Sequence, residues 1–221
     1  MKIIALPDLH DSINSLLSIG QALSQADLVL LVGDLTNGGP PSDADDLVQG
    51  VQRFNPSILA VPGNWDRPEI DVYLSQKGIN LNRRHILVNH LAFIGMGASL
   101  PGPLHTPNEI AESDFERFLD DAVFGLDPAI PAVLVCHQPP YNTLNDLAQG
   151  TAHAGSKAVR KLIECYQPRL CFTGHIHEGV GVDKIGETIL INPGPLSQGH
   201  YAYAEVTPQG LQTLEIRSAR S

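Results

Sequence analysis

Residues 28–34 read Leu28-Val29-Leu30-Leu31-Val32-Gly33-Asp34. A short apolar run ended by a turn-forming pair argues a strand. Toward the N-terminus, Lys2–Leu6 is a second such run. Between the two, Ile13, Leu16, Leu17 and Leu23 follow helical spacing, with Ser12 as the candidate N-cap. Toward the C-terminus, Leu47, Val51 and Phe54 mark a second helix after the loop Gly38-Gly39-Pro40-Pro41, and Ser57–Val61 reads as a third strand. This βαβαβ order predicts a parallel sheet with helices packed on it.

The middle of the chain is less regular. His85–Asn89 and Leu91–Gly95 read as short strands, and residues from Met96 to Glu112 as a long loop carrying Pro101, Pro103 and Pro107. Loops of that length in a compact domain are often functional lids. Ser113-Asp114-Phe115-Glu116 fits a capping box opening a helix that Phe118, Leu119 and Ala122 continue. Ala132–Cys136 is a further strand, Val159, Leu162, Ile163 and Tyr166 form a helical face, and Leu170–Thr173 is again a strand. Gly179–Lys184, Thr188–Ile191, Tyr201–Val206 and Leu211–Ile216 follow without an intervening helix, which predicts antiparallel pairing. No repeat, low-complexity segment or linker divides the chain, so residues 1–221 read as one domain.

Composition narrows the function. The apolar fraction of 43% suits a globular core. No apolar run reaches the ~18 residues of a membrane span. The N-terminal run is too short for a signal peptide, so a cytoplasmic protein is expected. Cys136, Cys165 and Cys171 lack metal-type spacing and read as reduced thiols. The net charge is −10 and no Lys/Arg run occurs beyond the pair Arg83-Arg84, which disfavours long nucleic acid as a partner. The pattern does not set an oligomeric state. An acidic chain that handles phosphate must create positive charge locally, and bound metal is the direct way.

Five short signatures follow predicted strands: Asp8-x-His10, Gly33-Asp34, Gly63-Asn64-Trp65-Asp66, His137, and Gly174-His175-Ile176-His177. Each alone is common in turns or caps. Ligands of α/β sheets bind beyond the carboxyl ends of the strands, so all five point at one rim. His175 and His177 stand at i and i+2, which face the same way in an extended segment, and neutral imidazole suits transition metals.

The order DxH, GD, GNxD, H, GHxH, from Asp8 to His177, resembles the calcineurin-like metallophosphoesterase family, and the small stand-alone microbial members in particular. The resemblance implies an α/β fold of four layers, an αββα sandwich of two mixed β-sheets flanked by helices. It implies two divalent metal ions, with Asp8, His10 and His177 on one, Asn64, His137 and His175 on the other, and Asp34 bridging. Mixed nitrogen and oxygen ligands suit Mn, Fe, Ni, Co or Zn.

Two such cations against two aspartates keep a surplus of roughly +2 for a phosphoryl group, and they generate hydroxide from bound water near neutral pH. The expected activity is therefore hydrolysis of a small phosphorylated substrate, with Asn64 helping to hold the phosphoryl oxygens. Many relatives carry His immediately after the Asn of the third motif, where it serves the leaving group. Trp65 stands there in this chain, which leaves His153, Asp66 or a metal-bound water as proton donor and favours activated or cyclic phosphodiesters. A phosphomonoesterase or pyrophosphatase with the same centre is the alternative enzyme, and a metal-binding scaffold the non-catalytic one. Trp65, the loop from Met96 to Glu112 and the segment Pro139–Ser156 are the expected specificity elements. Arg67 reads first as a surface ion-pair residue, with contact to anionic groups of the substrate as the alternative.

Overall fold

Strand parity sorts the apolar residues of this chain into separate cores. The computed structural model describes residues 1–207 and 209–219. Along the chain run β1 (Lys2–Leu6), α1 (Ile13–Ser18), α2 (Gly20–Ser24), β2 (Leu28–Val32), α3 (Pro41–Gln52), β3 (Ile58–Val61) and α4 (Pro68–Gln76). Then come β4 (Arg84–Val88), β5 (Leu91–Met96), α5 (Glu112–Val123), β6 (Ala132–Cys136), a two-strand hairpin β7 (Leu147–Ala148) and β8 (Ala152–His153), and α6 (Lys157–Tyr166). The last strands are β9 (Leu170–Phe172), β10 (Gly181–Ile185), β11 (Thr188–Asn192), β12 (His200–Thr207) and β13 (Gly210–Ser218).

One sheet has the order β13-β12-β1-β2-β3 and the other β10-β11-β9-β6-β5-β4. Both are mixed. β1, β2 and β3 are parallel, while β12 joins β1 antiparallel. In β1, Ile3 and Ala5 face the second sheet, in one core with Leu30, Phe93, Val133 and Phe172. Ile4 and Leu6 face the other way, against Leu16, Leu23, Leu47 and Val51 of α1, α2 and α3. On the far side of the second sheet, Ile94, Leu134 and Cys171 pack against Phe115, Leu119, Val159 and Ile163 of α5 and α6. The result is helices, sheet, sheet, helices. Central strands buried on both faces carry continuous apolar runs, which is why no alternation shows in Leu28–Val32.

Most strand and helix boundaries fall within one or two residues of those read from sequence. The one helical run read from Ile13 to Leu23 divides at Ile19 into α1 and α2, and four further differences are of substance. α4 is absent from that reading; it opens with Pro68 and buries Ile70, Tyr73 and Leu74. Ser12 sits at the N-cap position, but its hydroxyl makes no cap bond. The helix at 112 starts before the expected box, with Ala111 at the N-cap. Glu112 instead crosses to α6, accepting from Ser156 Oγ at 2.6 Å and from Ala158 N at 2.7 Å. Finally, β11 lies parallel to β9, because the edge strand β10 reverses the chain between them.

Candidate metal centre

The parallel strands of both sheets end at one rim, and the signatures are the loops that leave it. The loops interlock through the backbone: Asp8 N donates to Gly33 O at 3.1 Å, His10 N to Asp34 O at 2.8 Å, and Gly174 N to His137 O at 3.2 Å. Asp8, His10, Asp34 and His175 adopt left-handed backbone, with φ of 51°, 47°, 49° and 67°. Such strain in non-glycine residues gathers where surrounding structure enforces it, commonly at functional sites. Glycine serves here by close approach. A Cβ on Gly63 would stand 2.1 Å from Asp34 Oδ1, and one on Gly33 would stand 2.3 Å from His137 Nδ1. The glycine of one motif thus makes room for the metal-type side chain of another.

All seven side chains expected as ligands converge. Asp8, His10 and His177 offer atoms within 4.8 Å of one another, and so do Asp8, Asp34 and His137. Asp8 therefore reaches both groups, a sharing the motif pattern does not imply. Asp34 Oδ2 lies 3.7 Å from His10 Nε2 and 3.4 Å from His137 Nε2, between the two halves. Asn64 Oδ1 meets His137 Nε2 at 2.9 Å and His175 Nδ1 at 2.8 Å. Both ring nitrogens of His10 are buried with no hydrogen-bond partner. An unpaired buried polar atom is costly, and a cation is the partner that two carboxylates beside it favour. The residues present fit a divalent metal.

A family model described as calcineurin-like phosphoesterase matches residues 1–179. The chain belongs to the calcineurin-like phosphoesterase family. Among its relatives is the uncharacterized protein MJ1162 of Methanocaldococcus jannaschii, 34% identical over 201 residues, covering 89% of each chain. A more distant one is the 3′,5′-cyclic adenosine monophosphate phosphodiesterase CpdA of Haemophilus influenzae, 20% identical over 90% of this chain and 74% of that protein. The crystal structure of TT1561 of Thermus thermophilus shares the fold, with a TM-score of 0.79 at 19% identity and 99% coverage of both chains. Membership makes this chain one of a family of divalent-metal-dependent phosphoric ester hydrolases.

The charges of this calcineurin-like centre are mutually dependent. Burial alone would raise the pKa of Asp34, but the neighbouring His137 and His10 and the Trp65 N–H hold it below its usual value. Burial opposes the charge on His137, yet Asp34 and then Asp8 lift that ring to about 9. Its Nδ1–H donates to Val32 O at 2.8 Å, which turns Nε2 into the centre. Burial, and then the neighbouring His137, push His175 down to about 4, so it stays neutral. Without metal, a proton on His137 holds the place a cation would take. Metal uptake must expel it, and with it any proton on His177, whose pKa the bond to Asp8 raises. Apparent Mn²⁺ affinity should therefore rise by at least about tenfold per pH unit below about pH 9, as calorimetric titration at several pH values would show. The sign for the metal-free fold is opposite. A raised histidine pKa stabilises fully below 6.5, and that contribution is lost as pH climbs through about 9.

Two residues expected to deliver a proton stand apart from the seven. Asp66 is fully buried, and its oxygens accept from Leu35 N, Thr36 N, Thr36 Oγ1 and Gly63 N at 2.8–3.1 Å. Burial and then Asp34 raise its pKa to about 6. This carboxylate ties the second motif to the third and faces no open rim. Asp66→Ala would orphan four donors, and we expect a loss of about 3 kcal/mol in a urea-unfolding measurement. His153 sits on the β7–β8 hairpin with Nδ1 2.7 Å from Asp146 Oδ1. Asp146 also accepts from Asn142 N, Thr143 N and Gly155 N, so the histidine is held by a buried, well-anchored carboxylate. Trp65 is half-buried and gives its N–H to Asp34 Oδ1 at 2.8 Å, while Arg67 is exposed at the start of α4.

The loop between β5 and α5 contributes residues that no motif signals. Asn64 Nδ2 donates to Thr106 Oγ1 at 3.0 Å, and Thr106 Oγ1 donates to Glu109 Oε1 at 2.7 Å. Since the Thr106 proton is committed to Glu109, its lone pair must accept from the Asn64 amide. That polarity aims Asn64 Oδ1 at His137 and His175. Asn108 Nδ2 holds Gly63 O at 2.9 Å, and Leu100 N reaches Gln138 Oε1 at 2.9 Å. A cleft of about 340 Å³ opens between this loop, Asn64, His175 and the β7–β8 hairpin. A larger hollow of about 530 Å³ beside Met1, His90 and Arg169 lies at the N-terminal ends of the strands, and none of the seven residues lines it.

Proposed function

We propose that this chain is a dinuclear metal-dependent phosphodiesterase of small esters. The convergence of two carboxylate–histidine groups that share Asp8, with Asp34 Oδ2 between them, carries the reading. Asp8, His10 and His177 would hold one ion, Asn64, His137 and His175 the other, and Asp34 would serve both; Mn, Fe, Ni, Co and Zn all suit this donor set. Bound there, the ions supply positive charge for a phosphoryl group and acidify coordinated water.

The protein's own groups do the rest. Val32 O and the Asp34–Trp65 contact fix the orientation of His137 and Asp34 before substrate arrives. One N–H of the Asn64 amide is committed to Thr106, and we assign the other to a phosphoryl oxygen. We assign the leaving-group proton to His153, whose neighbours Ala148 and Ala154 line the cleft. His153→Asn is then expected to slow diesters of poor leaving groups by about a hundredfold and to leave p-nitrophenyl esters nearly unchanged, as kcat on the two classes would show.

Diesters are favoured over monoesters because Trp65 occupies the position after Asn64 where a histidine would assist a poor leaving group. The cyclic diester named for the CpdA relative supports the same direction. The test is turnover of bis-p-nitrophenyl phosphate against p-nitrophenyl phosphate, with Mn²⁺, Co²⁺, Ni²⁺ or Zn²⁺ and with chelator. Metal-dependent diesterase activity is expected. Faster monoester turnover would overturn the diester assignment, and no turnover of either by metal-bound protein would point to a scaffold.

A further inference from the structure

We propose that the cleft beside Asn64 and His175 receives an uncharged, apolar ester group of the substrate, an inference that rests on the phosphoesterase reading above. Its walls are Leu100, Pro101, Pro103 and Leu104 from the loop, faced by Ala154 and Ile176. Among the described residues that line it there is no Lys or Arg. Its one acidic side chain, Glu109, accepts from Thr106 N at 2.7 Å, Thr106 Oγ1 at 2.7 Å and Gly102 N at 3.2 Å. Burial would raise its pKa, but those bonds hold it below its usual value, so it remains an anion. Away from the metal centre, a second phosphate or a carboxylate entering here would meet Glu109 and no lysine or arginine. An apolar group would meet prolines and aliphatic side chains.

Two features make this a built wall. The loop is pinned on both sides, by Leu100 N to Gln138 Oε1 and by Asn108 to Gly63 and Asn64, so little ordering remains to oppose binding. At its rim Leu104, 71% exposed, extends the apolar wall of Leu100, Pro101 and Pro103 toward solvent. The cleft also begins at two candidate ligands, so an ester group lying in it is attached to the phosphorus held at the centre. Its volume of about 340 Å³ falls within the ~300–1,000 Å³ of small-molecule sites.

The test compares phenyl p-nitrophenyl phosphate with methyl p-nitrophenyl phosphate on the metal-loaded protein and on Leu104→Asp. The leaving group is the same, and Leu104 is exposed, so the fold should tolerate the change. We expect Leu104→Asp to cut kcat/KM for the phenyl diester about tenfold and to leave the methyl diester within about twofold. An equal loss on both would put the shared p-nitrophenyl group in the cleft and overturn its assignment to the second ester. No loss on either overturns the cleft altogether, and in both cases the esterase reading stands. If metal-loaded wild type turns over neither, the esterase reading fails. Calorimetry with phenyl phosphate and methyl phosphate then decides the cleft separately: about tenfold tighter phenyl binding supports it, and equal affinities overturn it.

Discussion

Asp34→Asn will leave a chain that folds and shows at most about a thousandth of the wild-type kcat on bis-p-nitrophenyl phosphate. Asp34 Oδ2 is the atom that faces both His10 Nε2 and His137 Nε2. With the amide oxygen kept on the Trp65 N–H, an NH2 group replaces Oδ2 between the two halves, with neither the lone pair nor the charge that would hold two cations near each other. Centres of this type draw several kcal/mol of transition-state stabilisation from paired ions, and each ~1.4 kcal/mol is a factor of ten in rate. The amide keeps the shape of the carboxylate and can still accept from Trp65 N, so the native fold should persist by circular dichroism. Retention of a tenth or more of wild-type kcat would remove Asp34 from the bridge.

Gly63→Ala should be nearly as damaging, although it changes no polar atom. The added methyl would stand 2.1 Å from Asp34 Oδ1 and 2.2 Å from Asp34 N. Neither can retreat freely: Oδ1 accepts from Trp65 N, and the backbone of Asp34 is already left-handed at φ 49°. The strain must be relieved by moving Asp34, so we expect about a hundredfold loss in kcat together with about 2 kcal/mol of stability. A fully active, fully stable Gly63→Ala would show that the second and third loops do not pack this tightly.

The frame of the fold was readable because its central strands are buried on both sides. Leu28–Val32 and Ala132–Cys136 carry unbroken apolar runs, and helices between them leave 3.6-residue spacing. The seven candidate ligands were readable because each stands just past such a strand. What escaped depends on contacts across the chain. Thr106 and Glu109 lie in a proline-rich loop with no periodicity, and only the folded structure brings them to Asn64. Ser113-x-x-Glu116 has the spacing of a capping box, but Ala111 takes the cap position and the adjacent Glu112 reaches the start of α6. Thr188–Ile191 reads as another antiparallel strand, and its parallel pairing with β9 follows from β10 occupying the sheet edge. Asp66 has the composition of a catalytic acid, and only its four donors show it tying loops together.

The claim of a dinuclear centre is tested most directly by titrating the metal-free protein with Mn²⁺ and following hydrolysis of bis-p-nitrophenyl phosphate at each addition. If Asp8, His10 and His177 hold one ion and Asn64, His137 and His175 the other, activity climbs to a plateau at two equivalents per chain. A plateau at one equivalent, or an inactive protein shown by calorimetry to hold both ions, would contradict it.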